Sequence, residues 1–306
     1  MAKKEPPASE GEALAAFLSE LESVHEVKEI AGWETGFSKL SAALNGLLPG
    51  LHLLIGPPGC GKSTFAKQLL DQAAQHNSMP GLFFTFSEKK DDLRIRTLAR
   101  LSAVESREIR RGAGYLLHWY GAPKRQMTEA EQMPASWEKL KQAADEAKGW
   151  LDFLYLFECD ETTTLDDIER RIGEVRALKR SQKLMAVIDE CQCLGERGSS
   201  LDARLPLIAE QLENLAMRLD MPLIATWPNL KASASPKIAP EEWAERVAGA
   251  NTIIVMEEDA ERTRQFTEPK RAVTLHIVKN RGGERATIHF DFSPGLSKLT
   301  EVGSSP

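Results

Sequence analysis

The chain has 306 residues, of which 39 are Lys or Arg and 45 are Asp or Glu, so it carries a formal charge of −6. Hydrophobic residues make up 42% and charged residues 27%, the balance of a globular protein and too apolar for a disordered one. That length admits one large α/β domain with tails or two smaller domains, and the acidic balance speaks against a surface coated in nucleic acid while leaving room for a local basic channel.

In chain order, MAKKEPPASEGE holds no apolar core and reads as a polar tail, not a signal peptide. From Glu12 to Val24, Leu14, Phe17, Leu18 and Leu21 recur at helical spacing and predict a short amphipathic helix, packed on its own domain or on a neighbouring subunit. No stretch reaches the roughly 18 apolar residues of a membrane span, so a soluble, cytoplasmic protein without a membrane partner is expected. Cys60, Cys159, Cys191 and Cys193 show no paired framework, and Cys191 and Cys193 have no nearby Cys/His pair to complete a zinc site. Buried free thiols in a reducing compartment is the reading.

After Gly32, short apolar runs alternate with helical stretches, the pattern of a mostly parallel sheet with crossover helices. Strands are predicted at 51–56, 81–87, 151–157, 184–189, 222–227, 251–257, 272–278 and 286–292, the last three as antiparallel edge strands. Helices are predicted at Lys62–Gln75, Asp91–Leu101, Trp137–Lys148, Thr164–Lys179 and Asp202–Leu219. Tyr115 to Pro134 reads as a surface insertion and Lys231 to Pro240 as a flexible loop. The expected domain plan is a tail with the short helix over 1–32, one α/β domain over 33–302 and a tail over 303–306.

GPPGCGKS at 56–63 matches GxxxxGK[ST] and stands where its mechanism demands, after an apolar strand and at the start of a helix. Glycines let successive backbone N–H groups wrap a phosphate, and the helix N-terminus adds its positive end. Gly56, Pro57, Pro58, Gly59, Cys60, Gly61, Lys62, Ser63 and Thr64 are therefore the expected ATP-binding residues. Lys62 is to reach the β- and γ-phosphates, and the Ser63 hydroxyl is to ligate Mg²⁺. The apolar run LMAVID ends in Asp189, which a buried parallel strand delivers to the same sheet edge as the phosphate loop; it is the second expected metal residue. Hydrolysis needs a carboxylate to orient water, and Glu88 and Glu190, each at a strand end, both qualify.

The segments 35–70, 83–102, 151–177 and 184–194, continued through 212–227, 245–259 and 275–299, resemble in order the C-terminal ATPase domain of DnaB-type replicative helicases. The likeness covers roughly Trp33 to Val302 and extends to the related KaiC-type clock ATPases. It implies a RecA-like P-loop core in a hexameric ring, with ATP between subunits. By position it assigns nucleotide and metal roles to Lys62, Ser63 and Asp189, places Glu88 near the family's catalytic glutamate across a short gap, and makes Lys279 and Arg281 of HIVKNRGG the basic pair that reaches a neighbour's γ-phosphate. Those two are expected on strands at the opposite edge of the sheet from the phosphate loop.

Departures from the pattern are ATWPNL in place of a strand ending in Ser-Gln, Glu190 in place of an aromatic residue, and no N-terminal primase-recruiting domain in this sequence. The leading expectation is an oligomeric motor on single-stranded DNA or RNA, with Arg197, Arg204, Lys231 and Lys237 in loops able to meet phosphates. The alternative is a regulatory ATPase switch working through protein partners.

Overall fold

The computed structural model describes residues 30–112, 135–194, 200–229 and 239–303, together with Leu14, Leu18 and Ser19. Most of the predicted amphipathic helix, the 115–134 insertion, Arg197, Lys231, Lys237 and most of the 231–240 loop lie outside the described residues. Leu14, Leu18 and Ser19 are helical and exposed.

The fold is α/β. A short helix α1 (Ser38–Leu44) leads into β1 (Gly50–Gly56), α2 (Lys62–Asn77), β2 (Gly81–Thr85), α3 (Lys90–Ser102) and α4 (Ser106–Arg110). There follow α5 (Ala135–Leu151), β3 (Leu154–Glu158), α6 (Leu165–Lys179), β4 (Met185–Asp189), α7 (Leu201–Arg218), β5 (Pro222–Pro228) and α8 (Glu242–Arg246). The chain closes with β6 (Thr252–Asp259), α9 (Ala260–Thr263), β7 (Arg271–Asn280), β8 (Ala286–Ser293) and β9 (Lys298–Glu301). The strands form one nine-stranded sheet in the order β3-β2-β4-β5-β1-β6-β7-β8-β9.

β1, β2 and β4 are buried at every position, as strands covered by helices on both faces must be. Successive residues of β1 feed opposite faces of the sheet. Leu51, Leu53 and Ile55 pack with α6 and α7, whereas Leu54 packs with α1 and α2. On the second face Phe37 stacks on Phe65 at 5.6 Å, and the Phe290 ring stands edge-on to both.

The structure revises four expectations. The strand expected at 151–157 begins at Leu154, because Leu151 still closes α5. β6 is not an edge strand: it lies inside the sheet, parallel to β1, and antiparallel pairing begins between it and β7 and continues through β8 and β9. Lys279 and Arg281 are therefore not at the far edge, since β7 is separated from β1 by β6 alone. Arg204 does not present itself to a phosphate: it is buried in α7 and donates to the carbonyls of Gln192 (2.7 Å) and Leu194 (2.5 Å).

A buried ionic cluster ties α2 to α3. Lys67 and Arg100 both pair with the Asp71 carboxylate, and all three side chains are almost wholly buried. Thr97 Oγ1 accepts from Lys67 (2.7 Å) and donates to Asp71 Oδ2 (2.8 Å). Burial would raise the Asp71 carboxyl, but Lys67 and Arg100 hold it below its ordinary value. Burial pushes Lys67 below its own, against the pull of Asp71. Asp71→Ala strands two cations in the core and should lower stability by about 3–5 kcal/mol in denaturant unfolding. A loss below about 1 kcal/mol, the worth of a surface pair, contradicts this view of the cluster.

Candidate active site

The loop between β1 and α2 turns on glycine. Gly59 has φ 78° and Gly61 φ 106°, both in the left-handed region that glycine alone adopts without strain. A Cβ on Gly59 would meet nothing within 4 Å, so the loop is an open cradle. Gly61 starts α2 and Lys62 is its first residue. The Lys62 ammonium donates to the carbonyls of Gly56 (2.8 Å) and Pro57 (3.0 Å), folded over the loop on a flexible stem.

β5 lies between β1 and β4 and joins their ends chemically. Asp189 Oδ1, at the end of β4, accepts from Ser63 Oγ (3.0 Å) and from Thr226 Oγ1 on β5 (2.7 Å). Thr226 Oγ1 accepts in turn from the Glu190 N–H (2.7 Å). Asp189 is fully buried, and its Oδ2 has no partner. Burial raises its carboxyl above the usual range, and the two hydroxyl bonds oppose that rise. Glu190 follows at φ 65° and ψ 51°, a left-handed conformation that costs a non-glycine residue energy.

A cleft of about 460 Å³ opens over this constellation. Lys62, Ser63, Thr64, Glu88 and Glu190 all line it. Glu88 sits three residues past β2, its N–H bonded to Thr85 Oγ1 (3.0 Å), and its carboxylate pairs with Arg96 of α3. Burial raises the Glu88 carboxyl; Arg96 pulls it down and the Asp189 charge adds to the rise. Cys60, in the loop, is buried, and burial raises its thiol against the opposing charge of Lys62.

Lys279 and Arg281 are not in this cleft. Asn280 pairs with Thr252, which pairs with His52, so both stand level with the start of β1. The stretch from His52 to Gly56, about 13 Å at strand rise, separates that level from the loop. The Arg281 guanidinium donates to Asn251 Oδ1 (3.0 Å) and the Ala248 carbonyl (3.3 Å), and stands 3.7 Å from Glu213. The Lys279 ammonium donates to the same Ala248 carbonyl. The hairpin needs its glycines because it docks closely on α1: a Cβ on Gly283 would stand 2.4 Å from the Ala43 carbonyl oxygen.

Several cleft residues escaped the sequence reading. Arg96, Arg110, Gln192, Thr226, Arg271 and Phe292 all line it. Arg271 donates to the Gly59 carbonyl at 3.1 Å. No local motif marks them: Gln192 lies in the turn just after Glu190, and the others arrive through the packing of other elements. In ATWPNL, Trp227 is buried in the core, Pro228 lines the cleft, and the Asn229 N–H donates to the Gly56 carbonyl at 2.8 Å.

The fold and the cleft define a RecA-like P-loop core. The chain belongs to the family of the DnaB-like helicase C terminal domain, whose model matches residues 32–301. It is 23% identical over 301 residues to the replicative DNA helicase DnaB of Leifsonia xyli subsp. xyli, covering 95% of this chain and 61% of that protein. The Synechocystis sp. replicative DNA helicase DnaB is 27% identical over 218 residues, covering 70% of this chain and 22% of its own length. The chain thus spans about three fifths of the first relative and about a fifth of the second. Among solved structures, an ATPase domain superposes with a TM-score of 0.73 at 17% identity, covering 97% of this chain and all of that one. A DnaB-like replicative helicase, solved in a study of its interactions with primase, gives 0.70 at 18% identity, over 98% of this chain and 68% of that one.

Thr226 is the bridge of the site, so Thr226→Val should leave the Glu190 N–H unpaired and deprive Asp189 of a donor. The expected cost is about 1–3 kcal/mol in denaturant unfolding, with the isosteric side chain still filling the strand. Unchanged stability would show that neither bond matters to the fold.

Proposed function

We propose that this chain hydrolyses Mg-ATP as one subunit of an oligomeric helicase-type motor acting on single-stranded nucleic acid. The observation that carries the reading is the buried, half-paired Asp189 carboxylate beside Ser63 at the mouth of a glycine-lined loop. A carboxylate and a hydroxyl oxygen are hard ligands suited to Mg²⁺, and the open cradle at Gly59 suits phosphate, so the residues present fit both groups. When bound, Mg-ATP supplies the electrophilic γ-phosphate and neutralises part of its charge.

The chain's residues do the rest. Residues 56–64 bind the phosphates through backbone N–H groups, and Lys62 exchanges its loop carbonyls for phosphate oxygens. Ser63 and Asp189 hold the metal. Glu88 or Glu190 orients the attacking water and accepts its proton. Lys279 and Arg281, too far along the strands to serve their own loop, stabilise charge on the nucleotide of a neighbouring copy. The surface on which they stand then becomes half of an active site, and a head-to-tail contact of this kind closes into a ring where its rotation allows and otherwise extends into a filament.

Lys62→Ala should reduce ATP turnover by at least about 100-fold, because the charge on the transferring phosphoryl group loses its nearest cation. Wild-type turnover in the purified variant contradicts the phosphate-loop assignment. Arg281→Ala should be nearly inactive alone and regain activity when mixed with Lys62→Ala, since some interfaces then hold one intact copy of each residue; light scattering reports the assembly. A monomer fully active at every concentration contradicts catalysis in trans. Single-stranded DNA or RNA should raise the turnover rate severalfold. Turnover indifferent to both is the behaviour of a protein-directed switch, not of a nucleic-acid motor.

A further inference from the structure

Arg96 occupies a position that the reading above leaves unused. It leaves α3 toward the cleft and donates from one terminal nitrogen to Thr64 Oγ1, in the first turn of α2, and from the other to Glu88 Oε1. One guanidinium thus spans the phosphate-loop helix and the segment after β2. The neighbouring arginines of α3 do other work: Arg94 lies exposed on Asp91, and Arg100 enters the core on Asp71.

The spacing explains why Arg96 is held still. Arg96 and Arg100 are one helical turn apart on α3, and Thr64 and Asp71 are two turns apart on α2, so each pair shares a face. The helices are therefore joined at two levels, Thr64 with Arg96 at the cleft and Asp71 with Arg100 in the core. The lower level is the buried ionic cluster with Lys67 and Thr97, which fixes the register of the upper one. Two buried atoms at the upper level have no partner, Arg96 Nε and Glu88 Oε2. Glu88 thus has one oxygen clamped by a cation and a second able to accept a hydrogen bond. Among the described residues no cation is ion-paired with Glu190.

We infer that Arg96 is the positioning residue for Glu88: anchored by the Asp71–Arg100 joint, it fixes the carboxylate so that the oxygen left over faces the attacking water, and so selects Glu88 over Glu190 for that role. The inference rests on the ATPase reading. Arg96 acts through Glu88, so its loss should move the chemical step and leave nucleotide binding in place.

The experiment is a double-mutant cycle on ATP turnover in the full chain with Arg96→Ala and Glu88→Gln, supported by Arg96→Lys. Arg96→Ala should lower kcat by about 100-fold, the lower end of what a positioned general base contributes, and change KM for ATP by less than about threefold. Arg96→Lys, which keeps a cation but loses the fork, should recover part of kcat. Adding Arg96→Ala to Glu88→Gln should cost less than about twofold more, because the residue it positions is already disabled. If Arg96→Ala does not fold, Arg96→Lys and the Arg96→Lys/Glu88→Gln pair read the same coupling. A rise in KM with kcat intact would make Arg96 a nucleotide ligand, and a full second loss in the Glu88→Gln background would make it independent of Glu88; either overturns the inference. Normal turnover in Arg96→Ala overturns it alone, whereas an unmodified chain without turnover overturns the ATPase reading with it.

Discussion

Ser63 Oγ stands 3.0 Å from Asp189 Oδ1 across 126 residues of chain, and much of the molecule serves that approach. It requires β1 and β4 to run parallel, to end at the same edge, and to be spaced by β5 so that Thr226 lies between them. It also requires α2 to start at once after the loop, which the left-handed Gly61 permits. A parallel sheet covered on both faces is the economical way to bring a buried carboxylate and a glycine-rich loop together, because the carboxyl ends of its parallel strands lie along one edge. Keeping a carboxylate there is unfavourable to the ligand-free fold, since burial resists its ionisation; the hydroxyls of Ser63 and Thr226 offset only part of that cost.

The second organising contact is ionic. Asp71 takes two cations in the core and sets the distance between the helix that begins at the phosphate loop and the helix that follows Glu88. A buried cluster of this kind is weak evidence for stability in itself, yet its geometry is demanding. Its value here is register: with α2 and α3 fixed against each other, the side chains at their cleft ends meet across a short, defined gap.

How much of this was legible in the sequence follows from how local each feature is. GPPGCGKS carries its own structure, because glycine spacing, strand and helix are all within one short segment, and LMAVID shows its burial as an unbroken apolar run. Features that depend on a distant partner were not legible. α1 has no capping side chain at its N-cap; in its first turn the N–H groups of Lys39 and Leu40 donate to Glu301 near the other end of the chain (3.0 and 2.9 Å), so neither the helix nor β9 announced itself. Arg204 falls inside the helix expected from Asp202, yet nothing in its own segment shows that the helix turns it inward onto two carbonyls. Arg96 is one of several arginines in a charged helix, and only the packing of α3 on α2 separates it from the exposed Arg94. β6 was misplaced because strand spacing along the chain cannot tell a short parallel return from an edge hairpin.

The account turns on the cleft at the ends of β1 and β4 being a magnesium-nucleotide site. The most direct measurement is a structure of the chain with magnesium and a non-hydrolysable ATP analogue. The prediction is electron density for the triphosphate within residues 56–64 and for a metal ligated by Ser63, with Asp189 in its first or second coordination sphere. An analogue bound elsewhere, or a loop-bound triphosphate whose metal lies away from both Ser63 and Asp189, would contradict the account.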